Sequence, residues 1–389
     1  MLRFLTAGES HGPQLTAILD GMVAGVALSS NDIDRDLAKR QVGYGASPRM
    51  KIERDHAQIT GGVMGGHTTG APIALTIDNL DHEKWKDRDI APMTVPRPGH
   101  ADLTGAIKYG YRELRLALER ASARETAARV AVGAICRKFL GEFGIVIGSY
   151  VVVIGSVEAK LSDEVDYLDR FAQADRADVR CPDPIAAGQM HAEIRATMEA
   201  KDTVGGITEV VALNVPPGLG SHVQWDRRLS ARLIGALSSV HAMKGVEIGS
   251  AFENARKRGT QVHDEILREG NRLIRATNRS GGFEGGITTG EPIVMRAAMK
   301  PIATTLNPLR SVDLATGEET RTNYERSDFC PVPRAGVILE AMTAFVLADA
   351  LIEKLGGDGL AEMKPRFDQL RRARLEDLIM DNVKWRFDE

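Results

Sequence analysis

Residues 61–73 read GGVMGGHTTGAPI and residues 281–293 read GGFEGGITTGEPI, so the glycine pairs, the Thr-Thr-Gly and the Pro-Ile fall at matching positions. Weaker matches flank them. A strand-turn-helix pattern from Thr16 to Arg40 has a counterpart from Thr208 to Arg232, and the apolar helix near Glu125 resembles one near Gly336. Copies so far apart do not make a solenoid, whose units are short and adjacent. They point to a duplicated α+β unit with two halves packed about a pseudo-two-fold axis. Within each half strands precede a helix, so the expected arrangement is sheets covering a helical layer. Chance likeness between glycine-rich turns is the competing explanation.

Part of that layer is readable in residues 95–140. The turn Pro96-Arg97-Pro98-Gly99-His100 is stiffened by two prolines and reverses at Gly99. Asp102 can cap a helix in which Ala106, Tyr109, Leu114 and Leu118 recur at roughly helical spacing. Ser122-Ala123-Arg124-Glu125 has the form of a capping box and predicts a second helix, with the stripe Ala127, Val130, Ala131, Ala134, Ile135 and Leu140 and a stop at Gly141 and Gly144. Its small residues would let another backbone come close. Arg97, Arg112, Arg115, Arg120, Arg124 and Arg129 punctuate the same stretch, and long cations beside a buried stripe need an anion or water to face.

With 389 residues, 43% of them hydrophobic, and a net charge of −3, the chain has ample core and lacks the basic excess of a general nucleic-acid binder. Cys136, Cys181 and Cys330 are far apart without C-x-x-C spacing. That pattern argues for reduced thiols in a cytoplasmic protein rather than a disulfide framework or a zinc site, and no metal is expected. The opening MLRFLTAGESHG has no signal-peptide pattern, and no apolar run is read as long enough to span a membrane. Strands are expected at 2–7, 14–19, 51–60, 145–157 and 207–215, and helices at 30–40, 226–237 and 336–355. Residues 80–98 read as a surface loop and 303–327 as a long polar lid. The charged tail reads as a solvated helix, giving one domain over 1–362 and a helical tail over 363–389.

Gly8-Glu9-Ser10-His11-Gly12 matches the G-x-S-x-G elbow of serine hydrolases, but that motif joins a strand to a helix and borrows an oxyanion donor from an upstream loop. Here the following segment reads as strand, Pro13 intrudes and only a short segment precedes Gly8. There is no G-x-x-x-x-G-K-[ST] phosphate loop, and the G-G-x-x-G-G pairs are not the dinucleotide fingerprint. What remains is His11 and His100 in glycine-flanked turns, able to exchange a proton near neutrality, among many arginines. Arginine forks grip phosphate and carboxylate, so the combination points to a site for a small polyanion. Bland turn histidines are the alternative.

At these residues the chain resembles a known family. AGESHGPQLTAILDG, RPGHADLTGAIKYGYRELRLALERASARET and ERSDFCPVP look like the three signature regions of the chorismate synthases, and the likeness runs from Leu2 to about Leu360. The resemblance implies an α+β subunit built as a β-α-β sandwich, assembled as a homotetramer. It implies a lyase of the shikimate pathway for aromatic amino acid biosynthesis. Members remove phosphate and a ring hydrogen from 5-enolpyruvylshikimate 3-phosphate in an anti-1,4 elimination, giving chorismate with reduced FMN and no net redox change. Some reduce their own flavin with NADPH; most bacterial ones depend on an external reductant. No nucleic acid or membrane partner is implied.

By resemblance the substrate would meet Ser10, Arg40, Arg49, Arg97, Arg124 and Arg326. FMN would meet Arg120, Ala121, Ser122, His241, Ala242, Gly285, Lys300, Pro301, Ile302, Ala303, Thr304 and Arg326. His11 would give a proton to the departing phosphate, His100 would sit at the pyrimidine edge of the flavin, and Asp328 would handle a proton near its N5. Two positions depart from the family pattern: Ala46 stands where an arginine is usual, and His241 where asparagine is usual. A non-catalytic flavin-binding relative is the remaining alternative, and the retained catalytic positions argue against it.

Overall fold

A computed structural model describes residues 1–46, 52–162 and 164–387. The chain opens with β1 (Arg3–Ala7) and β2 (Gln14–Asp20), an antiparallel pair joined by the turn that carries Ser10 and His11. Helix α1 (Ser30–Gln41) follows, its entry fixed by Asp32, whose carboxylate accepts both the backbone N–H and the hydroxyl of Ser29. Next come β3 (Ala57–Gly61), the small hairpin β4 (Val63–Met64) and β5 (His67–Thr68), and β6 (Ile73–Asp78). The last inserts between β2 and β3 to complete an antiparallel sheet in the order β1-β2-β6-β3. Then α2 (Asp102–Tyr109), α3 (Arg115–Ala121) and α4 (Thr126–Gly141) lead to the second half.

That half holds β7 (Val146–Ile154), β8 (Val157–Glu158), α5 (Tyr167–Arg176), α6 (Pro184–Glu199), β9 (Gly206–Leu213), α7 (Leu229–Ser238), β10 (Met243–Ile248) and the short α8 (Ala251–Asn254). Three hairpins follow in turn: β11 (Ile266–Glu269) with β12 (Arg272–Arg275), β13 (Phe283–Glu284) with β14 (Ile287–Thr288), and, after β15 (Ile293–Met299), β16 (Arg310–Val312) with β17 (Glu319–Arg321). The chain then forms α9 (Val332–Leu355) and α10 (Leu360–Asp368).

The second sheet runs β10-β15-β9-β7-β8. Its first four strands repeat the first sheet's order, with β7, β9, β15 and β10 in the places of β1, β2, β6 and β3. The repeated Thr-Thr-Gly makes the same bonds in both halves. Thr68 Oγ1 donates to Val23 O at 2.6 Å and accepts from Val26 N at 2.9 Å. Thr288 Oγ1 donates to Pro216 O at 2.7 Å and accepts from Leu219 N at 2.9 Å. Gly62 and Gly282 share a positive φ, 81° and 85°, and a Cβ on either would lie within 2.7 Å of a proline carbonyl. Glycine is required there twice for one reason.

Between the sheets lie α1, α4, α7 and α9. The two sheets and this layer form the expected β-α-β sandwich. Helices α4 and α9 cross so closely that a Cβ on Gly133 would sit 2.2 Å from Ala341 Cβ. The outer face of β7 is also covered, by α5, where Phe171 packs against Gly148.

Several expectations are corrected. The helix expected from Asp102 through Leu118 is two helices, broken at Gly110, which adopts the left-handed conformation. Asp102 opens α2 but does not cap it; its carboxylate turns to Arg97 and His100. The box at Ser122 does not close, because Glu125 binds Thr6 and Arg129, and α4 begins one residue later. Residues 303–327, read as a long polar lid, hold secondary structure that the sequence did not suggest. They contain the β16–β17 hairpin, pinned where Ser311 Oγ donates to Pro96 O at 2.6 Å and Leu314 N to Thr94 O at 3.0 Å. Among the described residues no α-helix follows Asp368. The chain there touches the edge of β12, Leu273 N donating to Ala373 O and Leu375 N to Asn271 O, and makes a single 3-10 turn at Leu375–Asp377. Finally, α9 is long and apolar enough to cross a membrane, contrary to the reading that no run is; 89% of its most apolar window is buried in the protein. A helix walled in on all sides is apolar all round.

The α4–α9 crossing yields a stability test. Gly133→Ala should cost roughly 1–3 kcal/mol, the range for overpacking, in chemical denaturation. Gly141→Ala, with nothing within 4 Å of the added carbon, should cost nothing. Equal stability of the two variants would contradict the close crossing.

Candidate active site

The N-termini of α4 and α9 meet at one end of the helical layer, and the loops around them enclose a cavity of about 590 Å³. Each half contributes equivalent pieces. Arg40 comes from the end of α1, and His241 follows the end of α7. Asp81, Lys84, Trp85 and Arg88 follow β6, while Lys300 and residues 302–304 follow β15. Ser122 and Arg124 precede α4, and Asp328 precedes α9. The cavity therefore lies at the junction of the halves, where two helix N-termini favour negative charge.

Three arginines are held there by buried partners. Arg40 Nε donates to Thr126 Oγ1 and Nη2 to Ala123 O, each at 3.0 Å. Arg124 Nε donates to Asn79 Oδ1 at 2.7 Å and Nη2 to Asp78 O at 3.1 Å. Both share one carboxylate: Asp55 lies 3.3 Å from Arg40 Nη1 and 2.5 Å from Arg124 Nη1. Arg334 Nη1 binds Asp328 at 2.8 Å, and its Nε donates to Arg40 O at 3.1 Å. Burial pushes the Arg40 guanidinium down to about 9; Asp55 opposes this, while Arg334 and Arg124 reinforce it. Arg40 stays charged at neutral pH, and a bound anion would offset the burial that works against its charge.

In the Arg97 turn, Asp102 binds Arg97 Nε at 2.8 Å and Nη2 at 2.9 Å, and His100 Nδ1 at 2.5 Å. Arg97 Nη1 reaches Thr304 Oγ1 at 3.1 Å, tying this turn to the second half. Burial works against ionisation of Asp102, yet the bonds from Arg97 and His100 hold its carboxyl well below the usual range. His11 lies against Trp85 with ring centroids 4.1 Å apart and planes tilted by 40°, and Arg326 pairs with Asp81.

Ser10, His11, Arg40, Arg97, His100, Ala121, Ser122, Arg124, His241, Ala242, Lys300, Ile302, Ala303, Thr304, Arg326 and Asp328 all line this one cavity. Arg120 does not; it is exposed and binds Thr6 O at 2.9 Å. Pro301 is outside the lining and accepts from Lys300 Nζ at 3.1 Å. Gly285 lies at the tip of the β13–β14 hairpin beside His222. Its neighbour Gly286 accepts from Leu229 N at the start of α7, whereas His241 lies beyond that helix's other end, roughly 15 Å away by helical rise. Arg49 falls outside the described residues. Sequence reasoning missed Asp55, Asp81, Trp85 and Arg334. A cation at the start of an otherwise apolar helix is the signal that could have found Arg334.

A flavin fits the wall formed by the second half. His241 Nδ1 is buried without a protein partner, beside the small apolar Ala242, Ile302 and Ala303. Burial lowers the basicity of His241, with Glu125 opposing and Arg129, His100 and Arg120 adding to it. Lys300 supplies a cation for a phosphate. The hydrolase reading fails, since the chain enters β2 after Ser10 and the Ser10 hydroxyl lies 2.9 Å from that of Ser122.

A family profile described as chorismate synthase matches residues 2–352. The chain belongs to the chorismate synthase family. It is 54% identical over 384 residues to the chorismate synthase of Aquifex aeolicus, covering 94% of this chain and 96% of that one. Against that of Rubrobacter xylanophilus it is 52% identical over 377 residues, covering 95% and 96%. A solved structure titled "Crystal Structure of Chorismate Synthase" superposes with a TM-score of 0.78 at 47% identity, covering 95% of this chain and 96% of that one. Membership makes this chain a lyase of the shikimate pathway that acts on a small molecule, and the family generally implies a flavin cofactor.

The shared Asp55 gives a direct test. Asp55→Asn removes the carboxylate shared by two buried guanidinium groups, leaving Arg124 only Glu53 at 3.8 Å, and breaking a buried pair in this way typically costs about 3–5 kcal/mol. Denaturant unfolding should show that loss, and inorganic phosphate should restore part of it. Wild-type stability in Asp55→Asn would show that the arginines do not depend on this carboxylate.

Proposed function

We propose that the cavity binds 5-enolpyruvylshikimate 3-phosphate together with reduced FMN and carries out the anti-1,4 elimination that gives chorismate. The observation that supports this most is the described cavity lining, where eight arginines and lysines, the buried Arg40, Arg124 and Arg334 among them, face three carboxylates, which suits a substrate with one phosphate and two carboxylates. Ala121, Ser122, His241, Ala242, Lys300 and residues 302–304 would hold the flavin. Reduced FMN supplies, when bound, transient electron density that weakens the C–O bond without net redox change.

The chain's own groups do the rest. Fixed arginines stabilise charge as phosphate departs, and they need no reorganisation because protein partners already hold them. His11 donates a proton to a phosphate oxygen. Asp328, anchored by Arg334 at 2.8 Å, accepts the proton released at the flavin edge. His100, tied to Asp102, faces the same cavity from the Arg97 turn. We assign the assembled state to a homotetramer and the compartment to the cytoplasm, where the buried, unpaired thiols of Cys136, Cys181 and Cys330 stay reduced. An external reductant or NADPH would supply the reduced flavin.

Anaerobic single turnover with reduced FMN tests the reading. Wild-type protein should form chorismate, while His11→Ala should keep its flavin affinity and lose about 10²–10⁴-fold in turnover. Asp328→Asn should bind both ligands yet lose turnover, because an amide cannot take a proton near neutrality. Unchanged turnover in either variant removes that residue from proton transfer.

A further inference from the structure

His11 is held by one carboxylate through two bonds. Glu119, near the end of α3, accepts the His11 backbone N–H through Oε2 at 2.8 Å and faces the ring Nδ1 through Oε1 at 2.8 Å. Its own carbonyl accepts from Ser10 N at 3.1 Å. The two side chains are similarly enclosed, 15% and 14% exposed. The other sides of the turn are also fixed. Trp85 covers one face of the ring and donates through Nε1 to Asp81 at 3.3 Å, while His82 Nδ1 donates to the His11 carbonyl at 2.8 Å.

From this geometry we infer that Glu119 is a positioning residue for the elimination: it holds His11 as the Nδ1–H tautomer, so that Nε2 is the nitrogen that exchanges a proton with the ligand. An ionised carboxylate can only accept hydrogen bonds. Glu119 is ionised: burial opposes this, but the bond and charge of His11, with a further contribution from Arg115, hold its carboxyl below the ordinary range. The nitrogen facing it therefore carries a hydrogen, and the hydrogen bond made by one ring nitrogen sets the role of the other. The backbone bonds keep the whole turn in register with α3, so the ring cannot rotate without breaking its contact with Glu119. This inference rests on His11 as the proton donor proposed above, and its test separates the two.

Nitrogen-15 NMR of histidine-labelled wild-type protein reads the tautomer without any ligand. The His11 ring should be protonated at Nδ1 when neutral, and Glu119→Gln should abolish that preference. An Nε2–H ring in the wild type would overturn the inference whether or not the variant folds. In single turnover Glu119→Gln should lower the rate about 10²-fold or more, the lower range for a misaligned proton donor. The substrate KM and thermal stability should change little. In a His11→Ala background the same change should cost nothing further, because a residue acting through His11 has nothing left to act on. A full, independent loss in that background, or a raised KM with unchanged rate, would assign Glu119 to structure alone. If even wild-type protein forms no chorismate, the proposed reaction fails, and the tautomer still decides whether Glu119 orients His11.

Discussion

Gly133 lets α4 lie against the backbone of Ala341 in α9, and the site depends on that approach. The two helices are the equivalent long helices of a duplicated unit, and each carries its own sheet. Bringing them together joins the halves across a single helical layer and sets both N-termini at one end of it. A bulky side chain at the crossing would push apart the loops that follow each half's equivalent elements. Packing in the core thus fixes the distance between Arg124 at one helix start and Arg334 at the other, both of which line the cavity.

That placement has an electrostatic consequence. Burying arginines is costly unless carboxylates and carbonyls meet them. Here Asp55, Glu53, Asp328 and several main-chain oxygens do so, with Asp55 serving two guanidinium groups at once. The cluster is rigid, and the described cavity lining as a whole, with eight arginines and lysines against three carboxylates, still attracts an anion. In the Arg97 turn, Asp102 restrains Arg97 and His100 in the same way. Asp102 illustrates the linkage between charge and stability. Its carboxyl is held below the unfolded value, so the stability it contributes is present above the ordinary carboxylate range and is lost as pH falls through the lower, folded value.

Much of this was legible because it is local or repeated. Gly62 and Gly282 mark turns that only glycine fits, and their repetition announced the duplication before any strand could be paired. His11 and His100 stood out because glycines flank them. What stayed hidden depends on pairs distant in sequence. Asp55 meets Arg124 across 69 positions, Glu119 meets His11 across 108, and Arg334 meets Arg40 across 294. No spacing rule reaches that far. Local signals also failed where tertiary partners outbid them. Glu125 satisfies the capping-box pattern but is taken by Thr6 and Arg129, and Asp102 leaves its helix end for Arg97. The polar stretch after Ala303 hid a hairpin because short strands lack enough alternation to be seen. The apolar length of α9 went unrecognised until its burial on all sides explained it.

A crystal structure with oxidised FMN and substrate bound tests most directly whether the two halves jointly build the site. The expected result places the substrate phosphate within hydrogen-bond distance of Arg40, Arg124 or Arg334, and the flavin against Ala242 and residues 302–304, in one cavity of one chain. Substrate seated instead in the separate cavity lined by Met1, Asp349 and Glu353, at the other end of α9, would contradict it.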